Sequence, residues 1–469
     1  MELKQTINSS SNIPRGNWSR RNFLQTAALA TGAAALGFPN LLRAADASKK
    51  INVAHIGFGG MGKGRLREML NCKANIIALC DVDENQFPAA REIIAKAAFK
   101  PKEYVDFREM LEKENDLDGI VITTPDHWHA PITTAALAAG KHVFCEKPLT
   151  HTISEARAVR EMVKKYPSQV TQMGNQGSAS PNLRRGIEVI QGGALGQIHE
   201  VHCWLSGGGV HPGLATPTVG DPVPKGLHWD GWLGVAPTRL YKRGYYHPAA
   251  WRGWYDFGSG IMGDWGCHAL NLPFHALKLD YAKRISTEGN LMGLPTYSGK
   301  NHIRFEFDRR GSLNPVTIHW YDVGALPAKG VFPAELLEDY FDKMPDLGIL
   351  IVGENGWIFG EPHRCADFIK LKDETKISGI QNHEATKKIP VSLPRVRNHV
   401  AEWVDACAGG PPTFSNFEIG GHLTEIALSG VVALRTQKTL EWNGEQMRAE
   451  NAPEAEKFIQ ANYRKDWTI

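Results

Sequence analysis

Cysteine is scarce in this chain and has no pattern. Seven cysteines among 469 residues (72, 80, 145, 203, 267, 365 and 407) make no C-x-x-C pair and no small-domain spacing, so neither a disulfide framework nor a cysteine zinc site is expected. Cys80 and Cys145 sit in apolar runs and read as buried, inert thiols. Histidine also lacks metal spacing: His202, His211, His228, His247 and His268 form no H-x-x-x-H or H-E-x-x-H, and no metal is expected. Internal repeats and low-complexity linkers are missing. Charge is nearly balanced. The formal net charge is +3, and five cations against two acids in residues 1–47 account for all of that excess. The chain beyond residue 47 is near neutral, which excludes nucleic acid or an anionic membrane as a partner, since either wants a basic surface.

The leader is the one stretch outside a globular fold. Ser19-Arg20-Arg21-Asn22-Phe23-Leu24 precedes a weakly apolar, alanine-rich run from Ala27 to Phe38 and small residues at Ala44, Ala45 and Ala47. It resembles a twin-arginine export signal, with cleavage after Ala45 or Ala47. The run is too short to span a bilayer as a helix, no transmembrane segment is expected in the mature chain, and no cysteine near the junction invites a lipid. The destination is then the periplasm or another exported site. That route resembles pathways for proteins already folded around a cofactor, which fits cysteines that form no framework.

Residues 51–64, INVAHIGFGGMGKG, organise the rest. Ile51, Val53 and Ile56 read as a buried strand that breaks into Gly57, Gly59 and Gly62, a G-x-G-x-x-G turn opening a helix, with Phe58 and Met61 inside it. The first glycine allows the turn, the second lets backbone approach a pyrophosphate, and the third lets helix and strand pack. A second apolar run, Asn75–Cys80, ends in Asp81, 24 residues after Gly57 and near the offset of the acid that binds a ribose 2′-hydroxyl. A carboxylate there repels a 2′-phosphate, so NAD is favoured over NADP.

Strand and helix then alternate as a parallel sheet requires: helix over 84–97, strand over 119–124, helix over 130–139, strand over 142–145. This pattern predicts a Rossmann-type doubly wound α/β domain over 48–172. Ligands bind at the carboxyl ends of such strands. Two motifs fall there, Thr124-Pro-Asp126-His127-Trp128-His129 and Glu146-Lys147-Pro148.

The G-x-G-x-x-G turn, TPDHWHA and GKHVFCEKP, in this order, resemble the Gfo/Idh/MocA oxidoreductases, strongly over the N-terminal domain and more loosely beyond. The resemblance implies a nicotinamide cofactor, a sugar, cyclitol or glycoside as substrate, and Lys147 beside the nicotinamide and the reacting carbon. An ammonium there can stabilise negative charge on the substrate oxygen. By the same resemblance Asn175, in MGNQGS, touches the nicotinamide end.

Residues 173–469 have another rhythm. Polarity alternates over 198–205, 302–307 and 316–321, and 348–359 resembles a hairpin around Glu354-Asn355-Gly356. An α+β domain with a large, mainly antiparallel sheet is expected, bearing the substrate site and, as in relatives, an interface of a homo-oligomer. Trp204, Trp229, Trp232, Trp251, Trp254 and Trp265 crowd this region with Tyr245, Tyr246 and His247. Flat rings suit the apolar faces of a sugar, although loop packing accounts for any single one.

In Gly263-Asp264-Trp-Gly-Cys-His268, a helix starting near Asp264 puts Asp264 and His268 one turn apart. A carboxylate orienting an imidazole makes a general base, and the pair resembles the catalytic one of inositol dehydrogenases; capping Asp and core His is the plainer alternative. Lys147, Asp264 and His268 are therefore the expected catalytic set. Two amphipathic helices after Val396, the second over 421–436, read as structural. Export suggests a tightly held NAD, because free NAD is not replenished outside the cytoplasm. A redox-neutral NAD-dependent glycosidase is thus an alternative, against which stands Lys147, where that branch carries an apolar residue. A catalytically inactive sugar-binding protein is a third reading.

Overall fold

In a computed structural model, residues 50–467 are described, except 96, 98, 208–213, 290–294 and 298. The expected leader, residues 1–47, lies outside them, as does His211.

Six parallel strands form the first sheet: β1 (Asn52–Ile56), β2 (Asn75–Cys80), β3 (Lys102–Tyr104), β4 (Gly119–Ile122), β5 (His142–Cys145) and β6 (Thr171–Met173), in the order β3-β2-β1-β4-β5-β6. Every residue of β4 is buried, because helices cover both faces of such a sheet. The strand order reverses between β1 and β4, and the crevice at their carboxyl ends is where this topology places a ligand. Helices α1 (Gly60–Asn71), α2 (His129–Ala138) and α3 (Ile153–Lys165) follow β1, β4 and β5. A capping box starts α3, with Thr152 and Glu155 each satisfying the other's backbone N–H. The helix expected over 84–97 is a 3-10 turn, Glu84–Gln86, running into an α-helix at Phe87–Ile94, where Pro88 occupies the first turn.

The second sheet has ten strands: β7 (Ile198–Leu205), β8 (Arg284–Glu288), β9 (Asn301–Phe307), β10 (Val316–Asp322), β11 (Leu347–Gly353), β12 (Gly356–Gly360), β13 (Phe368–Leu371), β14 (Ser378–Gly379), β15 (Leu440–Asn443) and β16 (Arg448–Ala449). Their order is β14-β13-β12-β11-β7-β10-β9-β8-β15-β16, antiparallel except for the parallel β7–β10 pair. The period of two decides the faces. Ile303, Phe305 and Phe307 of β9 enter the core while His302, Arg304 and Glu306 alternate with them on the other side. The fold is thus α/β, a doubly wound parallel sheet followed by a domain with a mixed, mostly antiparallel sheet.

Three helices join the halves. They are α4 (Gly260–Ala269), α5 (His399–Cys407) and α6 (Phe417–Thr436). Helix α5 returns to the first sheet, where Trp403 packs edge-on to Phe144 of β5 at 5.9 Å. His399 Nε2 lies 2.9 Å from Met173 O, and Gln172 donates to His399 O at 2.6 Å. Helix α6 packs against both α3 and α4. It starts four residues before the expected boundary, because the Asn416 side chain caps the N–H groups of Glu418 and Ile419. Among the described residues it is the one helix long and apolar enough to cross a membrane, and its length is mostly buried within the protein. All seven cysteines are buried and no disulfide joins them; burial pushes the Cys80 and Cys145 thiols well above their ordinary range.

Candidate active site

The site begins at the glycine turn. The Gly57 N–H donates to Cys80 O at 2.8 Å, tying the turn to the end of β2, and Gly57 takes φ +77°, which side chains rarely adopt. A Cβ on Gly62 would lie 2.3 Å from Gly57 O and 2.7 Å from Thr123 Oγ1, whereas one on Gly59 would meet no protein atom within 4 Å. The third glycine is therefore needed for packing, and the second leaves open space in front of the α1 N-terminus, where backbone N–H groups favour an anion. Asp81 closes the arrangement: its Oδ2 accepts from Phe58 N and its Oδ1 from Asp83 N, both at 2.9 Å. Burial pushes its carboxyl up to about 6 against the pull of those two bonds.

A cleft runs from this turn across the carboxyl ends of the strands and encloses about 1330 Å³, its open mouth included. A segment of the second domain forms the facing wall. It is pinned to the loop after β2 by His228 N to Val82 O and Glu84 N to Gly226 O, each 2.8 Å, and by His247 Nε2 at 3.0 Å from Asp83 Oδ2.

Lys147 and Asp264 meet in this cleft as a hydrogen-bonded ion pair, with Arg252 Nε 3.8 Å from the other Asp264 oxygen. Burial alone would discharge both. Instead the Asp264 charge, with Glu146 and Asp126 behind it, holds the Lys147 ammonium above its ordinary range, and Lys147 and Arg252 hold Asp264 below its own. Both groups are therefore charged at neutral pH. Neighbouring acids are fixed by their own partners: Asp126 accepts from Ser259 Oγ at 2.7 Å, and Glu146 is bound by the buried Arg65 at 2.7 Å.

His268 has a different partner from the one expected. Helix α4 begins at Gly260, so Asp264 is not its cap, and Asp264 turns to Lys147. The His268 ring is oriented by Asn175, whose Oδ1 lies 2.8 Å from Nδ1, while Asn175 Nδ2 donates to Cys267 O at 2.7 Å. That second bond fixes which end of the amide faces the ring: Nδ1 carries the proton and Nε2 is the basic nitrogen. Burial, then the Lys147 charge, depress His268 well below the ordinary histidine value, so the imidazole is neutral.

Of the residues singled out in the sequence, Gly57, Gly59, Met61, Asp81, Asp126, Trp128, His129, Glu146, Lys147 and Asp264 line the cleft. Phe58, Gly62, His127, Asn175 and His268 stand behind it. The Phe58 ring is buried against Phe87 at 5.2 Å, and the His127 ring nitrogens face the carbonyl oxygens of Phe257 and Trp232 at 3.2 and 3.0 Å. Asn175 is buried and bonded to both His268 and Cys267. Most of the tryptophans pack: Trp229, Trp232, Trp251 and Trp254 form a small core with Tyr246 and Phe257, and only Trp232 and Trp251 of the six reach the cleft. Sequence reasoning missed Phe107, Arg252 and Trp467, which also line it. No motif marks them. Among the described residues no group of three or more His, Cys, Asp or Glu is arranged to hold a metal.

Comparison with known proteins adds three findings. Residues 51–173 match the model of the Gfo/Idh/MocA oxidoreductase family's NAD-binding Rossmann fold, and residues 214–289 match that of its C-terminal alpha/beta domain. The chain is 30% identical over 149 residues to inositol 2-dehydrogenase of Salmonella typhimurium, covering 31% of this chain and 43% of the relative. It is 26% identical over 214 residues to a glycosyl hydrolase family 109 protein of Shewanella pealeana, covering 39% and 46%. The chain thus spans less than half the length of these relatives. The fold is that of the WlbA dehydrogenase from Bordetella pertussis, solved with NADH and UDP-GlcNAcA, at TM-score 0.57 and 14% identity over 83% of this chain and 98% of that one.

Proposed function

We propose, from the two segments that match Gfo/Idh/MocA family models, that the chain moves a hydride between NAD and a CH–OH carbon of a sugar or cyclitol. One observation carries the reading: a charged lysine–aspartate pair stands in the same cleft as a dinucleotide-type glycine turn. Gly57, Gly59 and the α1 N-terminus would hold the pyrophosphate, and Asp81 the adenosine ribose. The carboxylate of Asp81 supports NAD over NADP, because a 2′-phosphate would meet like charge. When bound, the nicotinamide supplies the hydride acceptor. Lys147 donates a hydrogen bond to the oxygen on the reacting carbon and stabilises the charge that grows there. Lys147 at the cleft and His268 behind it share the transfer of the hydroxyl proton, with His268 neutral and protonated on Nδ1 so that Nε2 is its accepting nitrogen. A leader of twin-arginine type makes an exported, cofactor-retaining enzyme the consistent picture.

The test follows nicotinamide absorbance while free sugars and cyclitols, then aryl glycosides, are supplied with and without added NAD. NADH accumulating with a free polyol and added NAD supports the dehydrogenase. Release of the aglycone without net NADH supports a second reading, a redox-neutral glycosidase, which the family 109 relative favours and Lys147 opposes.

Asn175→Ala is expected to lower kcat by up to about 100-fold, the scale of a misplaced catalytic group, with NAD affinity unchanged. Equal turnover would remove the Asn175–His268 bond from the mechanism. NAD affinity is also expected to weaken as pH falls through about 6. Burial raises the Asp81 pKa, so the folded protein takes up a proton there before the unfolded chain does, and its ionised form is strained above that pH. Ribose hydroxyls relieve the ionised form by donating to it, so binding releases the proton. Titration calorimetry on either side of pH 6 checks this, and Asp81→Asn should flatten the dependence; a flat wild-type profile would separate Asp81 from the ribose.

A further inference from the structure

Residues 461–467 tie three parts of the molecule together along the cofactor cleft. The Ala461 N–H donates to Ser154 Oγ at 2.9 Å, and the Tyr463 hydroxyl donates to Glu155 Oε1 at 2.5 Å, using the second oxygen of the carboxylate that caps α3. Arg464 is held at both backbone and side chain: its N–H donates to Val235 O and its Nε to Gly234 O, each 2.9 Å, and its Nη1 lies 2.6 Å from Asp230 Oδ1. The chain then delivers Trp467 to the cleft wall, edge-on to Trp128 at 5.3 Å and beneath the Arg108 guanidinium at 4.6 Å. Trp128 is fixed in turn. Its Nε1 donates to Trp232 O at 3.1 Å, Phe107 abuts it at 5.6 Å, and a Cβ on Gly234 would fall 2.0 Å from its ring.

These rings lie where the glycine turn and Asp81 leave the rest of an adenosine to go. The lining there is Val105, Asp106, Phe107, Trp128, Ile132 and Trp467; apart from Asp106, which is paired with Arg108, it is an apolar, largely aromatic wall of the kind a purine face needs. We propose that residues 461–467 are a strap closing the adenine end of the cleft, with Trp467 as the surface the purine rests on, so that the dinucleotide is retained between turnovers. The inference rests on the NAD reading above and extends it to residues that no nucleotide motif contains. Arg464 holds the strap down and lays its guanidinium over the Trp467 ring at 5.6 Å, and Trp467 makes the contact.

The experiment measures NAD dissociation from the full-length protein by stopped-flow fluorescence. Trp467→Ala, Arg464→Ala and Trp467→Phe are compared with wild type, with melting temperature as the check on folding. Loss of an aromatic–base contact is expected to speed release about 10-fold or more. Arg464→Ala should also speed release, and Trp467→Phe should stay near wild type. Wild-type release rates in both alanine variants would overturn the strap alone. A wild-type protein that binds no NAD in the same titration would overturn the cofactor reading and the strap with it.

Discussion

Replacing Lys147 by methionine is expected to lower kcat by about 10²- to 10³-fold, the usual loss when one preorganised donor to a developing oxyanion is removed. Methionine keeps the length and apolar stem of lysine and removes only the charge. NAD affinity should stay within a few-fold, because the glycine turn and Asp81 lie at the other end of the cleft. Asp264 supplies a second signature. Its carboxyl is held low first against burial and then by Lys147, and with only Arg252 left at 3.8 Å it takes up a proton more readily. The variant's activity should therefore acquire an acid limb at higher pH than wild type. Steady-state kinetics across pH, with a separate NAD titration, read both effects. Wild-type turnover in the variant would take the chemistry away from the Lys147–Asp264 pair.

Gly62→Ala and Gly59→Ala should fail in opposite ways, although the residues are three positions apart and the added group is one methyl. At Gly62 the new Cβ meets backbone at 2.3 Å, and neither β1 nor α1 can move without breaking the parallel ladder. Overpacking of this kind costs roughly 1–3 kcal/mol, here at the turn itself, so melting temperature and NAD affinity should fall together. At Gly59 the Cβ enters open space. Folding should be untouched while NAD affinity drops, because the methyl occupies room the pyrophosphate needs. Thermal melts paired with NAD titration distinguish the two, and equal melting of both variants with equal binding would mean the cleft is not the dinucleotide site.

The same contrast shows what could be read from the sequence. The glycine turn was legible because its demands are local: a φ of +77°, a close packing contact and an open face each select glycine within six residues. The strands were legible for the same reason, through burial on both faces in β4 and alternation in β9. The partner of His268 was not. A spacing of four residues puts Asp264 and His268 on one side of α4, but it says nothing of Lys147 and Asn175, which arrive from the ends of β5 and β6 and take one side chain each. The tryptophans of 204–265 carry no signal that separates rings in a core from rings in a cleft; only tertiary placement exposes Trp232 and Trp251. Trp467 is more than 300 residues from Trp128 in sequence, and no periodicity spans such a gap.

That gap has a counterpart in time. Gln172 and Met173, at the last strand of the first sheet, are bonded to His399, 227 and 226 residues further on. At about 5–20 residues per second, a ribosome needs roughly 10–45 s to make that interval. Throughout it the face of the first sheet that carries Val121 and Phe144 has Leu66 and Met69 of α1 in its cluster but lacks Val400 and Trp403, which complete its cover. The nucleotide-binding half is therefore not a finished domain when its last strand is synthesised, and its completion waits on the far end of the molecule.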